Sequence, residues 1–600
     1  MDYNELNRDV ITSPQRDFVL NRDTDTLVYA MGGLGEVGKN MYCIEHKNEI
    51  IIIDVGVKFP EEDLLGVDYV IPDYNYLVHN FEKIKAVIIT HGHEDHIGGI
   101  PFFLKVCPIK QIYAPRFALA LISKKLDEHH QSSSVKLVEI NSESRIETEY
   151  FKVGFFNTVH SIPDSLGILI NTPNGRIVET GDFKFDLTPV GTNSEYDKMT
   201  YMGTMGTTLL MSDSTNSGVK EFSPSERDVA KSILETMQHT QGRLIIATFA
   251  SNVHRVQQII ESAIACDRKI CVFGRSMENV IEIGRKLGNI HAPDSAFVEP
   301  DKINNLPANK VCLICTGTQG EPLSALSRIA TGTHRWIKII PGDTVIFSSS
   351  VIPGNAASIN KIVNSLCRIG AIVINNSVIN SIHTTGHASS EEQKLMLQLV
   401  KPKYFMPMHG EYKMLKQHAL SAIETGVPAN HIFVMTNGDV LALRNEQCFF
   451  ADLRIPTDDI YVDGNDTNGV AAAVLKDRKV LADNGLVAVI VTIDSRYNQI
   501  LVRPNIVSRG FVFIKENQSL LKDGELVVYE ALKKKMAQKT TFGDLKNTVR
   551  SSLEPYFYQK THRTPIIIPV ILNMLAANDP NKREKHPKPT TRTRKTTKLS

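Results

Sequence analysis

The sequence predicts a multidomain α/β protein in which one βα module interrupts another. Three observations predict it. Apolar runs of strand length recur between helical or turn patterns, as in Ala86-Val87-Ile88-Ile89 ahead of the apolar segment 100–106. From about 221 to 373 strand and helix patterns alternate, the signature of a doubly wound parallel sheet. Clusters of histidine and carboxylate flank that stretch on both sides, at 91–96 and again at 383–411. An inserted module explains this better than two independent sites. The expected division is an extension 1–25, an outer module in two parts (26–220 and 374–450), an insert 221–373, a linker 451–464, a C-terminal domain 465–575 and a basic tail 576–600.

Length and composition agree with several domains. A chain of 600 residues exceeds what one hydrophobic core supports. An apolar fraction of 42% and a charged fraction of 22% are ordinary for a globular protein. No apolar run approaches the roughly 18 residues of a membrane span, and the polar N-terminus lacks the apolar core of a secretion signal. Eight scattered cysteines form no disulfide framework, which points to a reducing cytoplasm. The net charge of +1 hides an asymmetry, since residues 581–600 hold eight Lys or Arg against Glu584 alone. Such a segment cannot bury a core; it fits either an arm for a polyanion or a solubilising tail.

The first strand, 26–30, leads into a glycine-rich loop with Gly33, Gly35 and Gly38 in G-x-G-x-x-G spacing. A dinucleotide site would need a helix next, whereas 41–45 and 49–54 read as two strands joined by a tight turn. The loop is therefore expected beside another site. Asp54 ends its strand, either as a turn residue or as a group that orients a metal ligand. The next strand runs into Thr90-His91-Gly92-His93-Glu94-Asp95-His96. Residues two apart at a strand end point the same way, so His91 and His93 can reach one cation. Asp95 and His96 lie in the following turn and can face a second. Imidazole nitrogen and carboxylate oxygen are ligands that zinc takes, and catalytic zinc keeps a position open for water. His160, Asp182 and Asp213 each follow or end a further apolar strand, and Asp182 has the chemistry to bridge two cations.

At the insert, Ser223-Pro224-Ser225-Glu226 predicts a helix capped by Ser223, with Pro224 at its first position and Glu226 closing a capping box. Helix 226–238, strand 244–249, a second helix and strand 269–273 follow. Ser251 and Asn252 fall between strand and helix, where hydroxyl and backbone N–H groups can hold a phosphate. Cys312 and Cys315 read as core residues of a buried strand. Beyond the insert, His387 lies among hydroxyls and a glycine, as a catalytic or phosphate-binding group would, and His409 follows a strand like one more ligand. In the C-terminal region Asp483-Asn484-Gly485 predicts a hairpin turn within 480–493, then two helices and a last strand over 565–572.

Together, the 32–40 loop, the His91–His96 motif, His160, Asp182, Asp213, the βα insert, His387 and Met408-His409-Gly410-Glu411 resemble the bacterial ribonuclease J family. This is the β-CASP branch of the metallo-β-lactamase fold. The His-x-His-x-Asp-His motif alone fits many hydrolases; His387 and His409 after the insert narrow it to nucleases. The resemblance implies an αββα metallo-β-lactamase sandwich, an inserted doubly wound β-CASP domain and a small α+β C-terminal domain. It implies two Zn2+ per subunit, with Mn2+ or Mg2+ as substitutes. One zinc is assigned to His91, His93, His160 and Asp182, the other to Asp95, His96, His409 and the shared Asp182. Catalytic roles fall to His387, Asp213 and Asp95. A site for RNA and its 5′-phosphate is implied at Ser251, Asn252, His383, Thr385, His387 and Ala388, although serine is the usual residue where this chain has Thr385.

The implied activity is 5′-to-3′ exonucleolysis preferring 5′-monophosphate RNA, with internal cleavage besides, in mRNA decay and rRNA maturation. Implied partners are RNA, further copies of the chain in a homodimer or homotetramer, and other RNA-decay proteins. A tRNA 3′-processing enzyme of the same fold would lack the insert. A small-molecule hydrolase would need neither insert nor basic tail, and a scaffold would keep its function without His93.

Overall fold

Alternation along each strand sorts side chains onto two faces, and in Thr26–Gly32 both faces are buried. Val28 and Ala30 enter one core, while Leu27, Tyr29 and Met31 enter another. A strand buried on both sides belongs inside a layered structure. The computed structural model describes residues 18–574 apart from 62, 322, 350–354, 376–381, 465–468, 470–471 and 514. Two compact units form. One comprises the chain up to Pro60 with Val67–Gly469; the other comprises Glu61–Gly66 with the chain from Val470.

The first unit is built on two large sheets. The eight-stranded sheet has Thr26–Gly32, Met41–His46, Glu49–Ile53 and Ile84–Ile88 at its centre, and the six-stranded one holds Lys152–Asn157, Gly175–Glu179, Thr207–Asp213 and Pro402–Met408. Their facing sides share one core, in which Val28, Ile44 and Ile53 of the first sheet join Phe155, Ile168 and Leu209 of the second. Helices Ile100–Val106 and Arg116–Glu128 cover the outer face of the first sheet. Helices Ser390–Val400 and Tyr412–Glu424 join the core of the second. The result is the αββα sandwich. Pro402–Met408 lies parallel to Thr207–Asp213, so a strand after the insert completes a sheet begun before it.

The insert carries a parallel five-stranded sheet in the order Lys269–Phe273, Val311–Cys315, Leu244–Ala247, Thr344–Phe347, Ile372–Ile374. Its faces alternate strictly: Cys312 and Ile314 point into one core, Leu313 and Cys315 into the other. Its first helix, Glu226–His239, is capped by Ser225, whose hydroxyl accepts from Arg227 N at 3.2 Å, and not by Ser223 as the local pattern predicts. Ser223 is committed elsewhere. Its N–H and hydroxyl donate to the Glu392 carboxylate at 2.8 and 3.0 Å, a long-range contact that outcompetes the local cap. Glu226 is likewise no capping-box residue, because its carboxylate is paired with Arg255.

Residues 451–464, expected as a linker, hold the end of strand Gln447–Arg454 and strand Asp459–Val462, which pairs with Tyr69–Pro72. The second unit packs helices Gln518–Met536 and Phe542–Thr561 on a three-stranded sheet ordered Gln499–Arg509, Leu486–Asp494, Ile566–Asn573. The hairpin expected within 480–493 is not there. Ala472–Asn484 is a helix, and Gly485 (φ +78°) terminates it, its N–H reaching Leu481 O. Asn-Gly supplies the positive φ that a helix end and a hairpin both need, and the good helix formers of 472–482 decide between them. The actual hairpin joins Leu486–Asp494 to Gln499–Arg509. In the same unit Arg478 Nη1 donates to the carbonyls of Leu65 and Gly66, both at 3.0 Å. The basic tail 576–600 and residues 1–17 of the N-terminal extension lie outside the described residues.

Candidate metal centre

The strands of the two sheets end on one edge, and the loops leaving them carry the candidate ligands. His91 and His93 follow Ile84–Ile88, with His96 on the single helical turn Glu94–Ile97. His160, Asp182 and Asp213 come from three strands of the six-stranded sheet, and His409 follows Pro402–Met408. Glycine makes this crowding possible. A Cβ on Gly56 would lie 1.7 Å from the Asp95 carbonyl oxygen, and one on Gly386 would lie 2.8 Å from the His160 ring.

Two donor sets meet at one carboxylate. His91 Nε2 and His160 Nε2 stand 3.1 and 3.0 Å from His93 Nδ1, and 3.5 and 3.7 Å from Asp182 Oδ2. On the other side, His96 Nε2 and His409 Nε2 are 3.3 and 3.5 Å from the same Asp182 oxygen, and each is 3.6 Å from Asp95 Oδ2. Within each set the ligand atoms all lie within 4.8 Å of one another.

The outward nitrogens explain the inward ones. His96 Nδ1 bonds Asp54 Oδ2 at 2.7 Å, His160 Nδ1 bonds Gly386 O at 2.6 Å, and His91 Nδ1 lies 3.0 Å from Thr90 Oγ1. The Thr90 hydroxyl itself donates to Asp54. A ring that donates through one nitrogen turns a lone pair inward through the other, the arrangement by which proteins orient metal-binding imidazoles. Lone pairs facing one another at such distances repel unless a cation lies between them. His93 Nε2, Asp182 Oδ1 and both ring nitrogens of His409 are buried without a hydrogen-bond partner among the described residues. Buried polar atoms left unpaired are costly, and a cation held here would remove much of that cost. The donor chemistry fits one or two divalent cations.

Electrostatics separates the sets. Burial holds His91 and His160 well below the usual imidazole range and pushes His93 down to about 3. Burial also opposes charge on His96 and His409, but Asp182 and the neighbouring carboxylates outweigh it and raise both. Beside them His387 Nδ1 bonds Asp213 Oδ2 at 2.8 Å. Despite burial, Asp213 and Asp182 raise this imidazole to about 9.

The other expected site residues are placed less directly. Asn252 caps helix Val253–Ala265 through its side-chain oxygen, which accepts from Arg255 N, and Ser251 precedes it, half-buried. Thr385 Oγ1 accepts from His387 N at 3.1 Å and lines a small cavity with His160 and Lys184. His383 lies 3.5 Å from Arg255 Nη1, and the Ala388 methyl is buried in the sandwich core. Asn40, Thr90 and Arg255 escaped the sequence reading as site residues. Asn40 Nδ2 stands 3.2 Å from His96 Nε2, and its place at the end of the glycine-rich loop was the available signal.

Four stretches of the chain match known protein families. Residues 34–216 match the metallo-beta-lactamase superfamily, and 372–435 match a Zn-dependent metallo-hydrolase RNA specificity domain. Residues 241–366 match the ribonuclease J beta-CASP domain, and 473–574 the ribonuclease J C-terminal domain. Ribonuclease J 1 of Streptococcus pyogenes is 50% identical over 91% of this chain and 97% of its own length. The chain belongs to the ribonuclease J family. Ribonuclease J2 of Bacillus subtilis is 39% identical over 91% of this chain and 98% of its own length, and ribonuclease J of Mycoplasma genitalium 38% over 92% and 98%. A protein of unknown function from Enterococcus faecalis, 16% identical, shares the fold with a TM-score of 0.51 over 70% of this chain and all of its own. As a member of the ribonuclease J family the chain is a metal-dependent ribonuclease that binds RNA. Among the described residues no helix is long and apolar enough to cross a membrane.

Proposed function

We propose that this enzyme holds two zinc ions and degrades RNA from the 5′ end, preferring a 5′-monophosphate, with internal cleavage as a second activity. The observation that carries the reading is the meeting of both donor sets at Asp182 Oδ2. His91, His93 and His160 take one cation with Asp182; Asp95, His96 and His409 take the other, and Mn2+ or Mg2+ can substitute. When bound, such a pair polarises a phosphodiester and lowers the pKa of water.

The chain's own groups complete the reaction. Asp95, whose side chain is 27% exposed, is the carboxylate open to the attacking water and can take its proton. The water oxygen adds to phosphorus, the bond to the 3′-oxygen breaks, and protonated His387 gives its proton to that leaving oxygen. Asp213 orients the ring and keeps it charged. A nucleoside 5′-monophosphate leaves, and the strand is one residue shorter. Ser251, Asn252, His383, Thr385 and the Ala388 backbone are proposed to receive the RNA and its 5′-phosphate, near the start of helix Val253–Ala265.

The insert 221–373 would guide RNA towards the outer module, 26–220 with 374–450, while 465–575 serves assembly as a homodimer or homotetramer. Eight free cysteines support a reducing cytoplasm, where mRNA decay and rRNA maturation with other decay proteins take place. The test is purified protein incubated with 5′-monophosphate and 5′-triphosphate RNA, with and without chelator. Mononucleotides from the monophosphate RNA alone, abolished by chelator, are expected. Equal release from both substrates, or release that survives chelation, overturns the proposal.

A further inference from the structure

Among the described residues Arg255 has the largest fully buried side chain, at 0% exposure, and it lies outside both donor sets. Its Nε and Nη2 clasp the Glu226 carboxylate, the latter at 2.9 Å. Its Nη1 donates to Ser348 Oγ at 2.6 Å and to Ile382 O at 3.1 Å, while Ser348 Oγ donates to the same carbonyl at 2.7 Å. Removing two charges from water is expensive, and an apolar pair of similar volume often serves stability as well. What the planar guanidinium adds is geometry, because its donors leave in fixed directions towards separate acceptors.

Those acceptors begin a short segment with consequences for the metal centre. After Ile382, Thr384 Oγ1 donates to Pro224 O at 2.8 Å, where the chain enters the insert, and Lys184 Nζ reaches the same carbonyl at 2.9 Å. Gly386 O then takes the bond from His160 Nδ1, and His387 meets Asp213. Glu226 is fixed in turn, its N–H donating to Asp186 Oδ2 at 3.0 Å, four residues beyond Asp182. The Arg255–Glu226 pair thus joins the first and second helices of the insert to the segment that orients His160 and carries His387.

We propose that Arg255, held by Glu226, is a positioning residue for RNA hydrolysis: through Ser348 and the Ile382 carbonyl it sets the path of residues 382–387. The proposal rests on the roles given above to His160 and His387. It requires the fork of donors, and neither charge nor bulk replaces it.

The test uses the full-length chain with Arg255→Lys, Arg255→Met, Glu226→Leu and the double variant Arg255→Met/Glu226→Leu, with His387→Ala in parallel. Melting temperature, bound zinc, kcat, KM and amide hydrogen exchange are read. Each single apolar variant should melt lower, and the double should regain the wild-type melting temperature. In the double variant kcat should nevertheless stay about 10- to 100-fold down, with KM within about twofold of wild type. Peptides spanning 382–388 should exchange faster while those of strands Leu244–Ala247 and Val311–Cys315 do not. A double variant regaining both stability and kcat overturns the proposal. If the double variant does not fold, Arg255→Lys decides, since normal kcat and normal exchange at 382–388 overturn it equally. Wild-type activity in His387→Ala would instead defeat the role assigned to that histidine, leaving the exchange result to judge Arg255 separately.

Discussion

The two donor sets share an oxygen of Asp182 yet differ in kind. His91, His93 and His160 are neutral imidazoles that burial keeps uncharged. His96 and His409 sit beside Asp95 and Asp182, whose charges raise both imidazoles above the usual range. The first set comes wholly from chain preceding the insert, whereas the second needs His409 from beyond it. Protons therefore oppose a cation more at the second proposed set than at the first. The difference teaches that a shared carboxylate need not make equivalent sites.

Asp182→Asn should break the comparison outright. It removes the oxygen common to both sets, and activity should fall about a thousandfold or more, the loss of several kcal/mol of transition-state stabilisation. Bound metal, by elemental analysis, should fall in both sets. His409→Ala should separate them: the second set loses its ligand from beyond the insert, metal content drops by half, and hydrolysis falls with it. Retention of both metals would show that His409 is no ligand. Asp54→Asn should act more mildly, weakening metal affinity in the second set about 10- to 100-fold by freeing the His96 ring. Competition with a metal-binding dye would measure it.

The smallest effect is the dependence on pH. His96 and His409 have raised pKa values, so protons compete with the second cation, and its affinity should rise as pH climbs through that raised range. The first set has lowered values, with His93 at about 3, so its affinity should stay level down to acid pH. Calorimetric titration in buffers of different ionisation enthalpy counts the protons released. Equal release on filling both sets would erase the distinction.

His91, His160, Asp182 and His409 were legible because each follows the end of an apolar strand, and strand ends on one edge of a sandwich must converge. The parallel sheet of the insert was legible from the alternation of strand and helix patterns over 221–373, and Cys312 and Cys315 were legible as core residues of a wholly apolar strand. Long-range polar contacts were not. Ser223 reads as a helix cap until Glu392, 169 residues away, takes it, and Arg255 looks like a surface residue until Glu226, Ser348 and Ile382 surround it. Asn484-Gly485 misled for a local reason, because one backbone conformation ends helices and turns hairpins alike.

The six residues Glu61–Gly66 carry a lesson for anyone who trims this molecule. They arrive early in the chain, yet their tethers to Arg478 and Lys479 arrive more than 400 residues later. A protein cut after Gly469 would keep every proposed zinc ligand while the carbonyls of Leu65 and Gly66 turned to solvent. Proteolysis within 61–66 would be the first sign of that truncation.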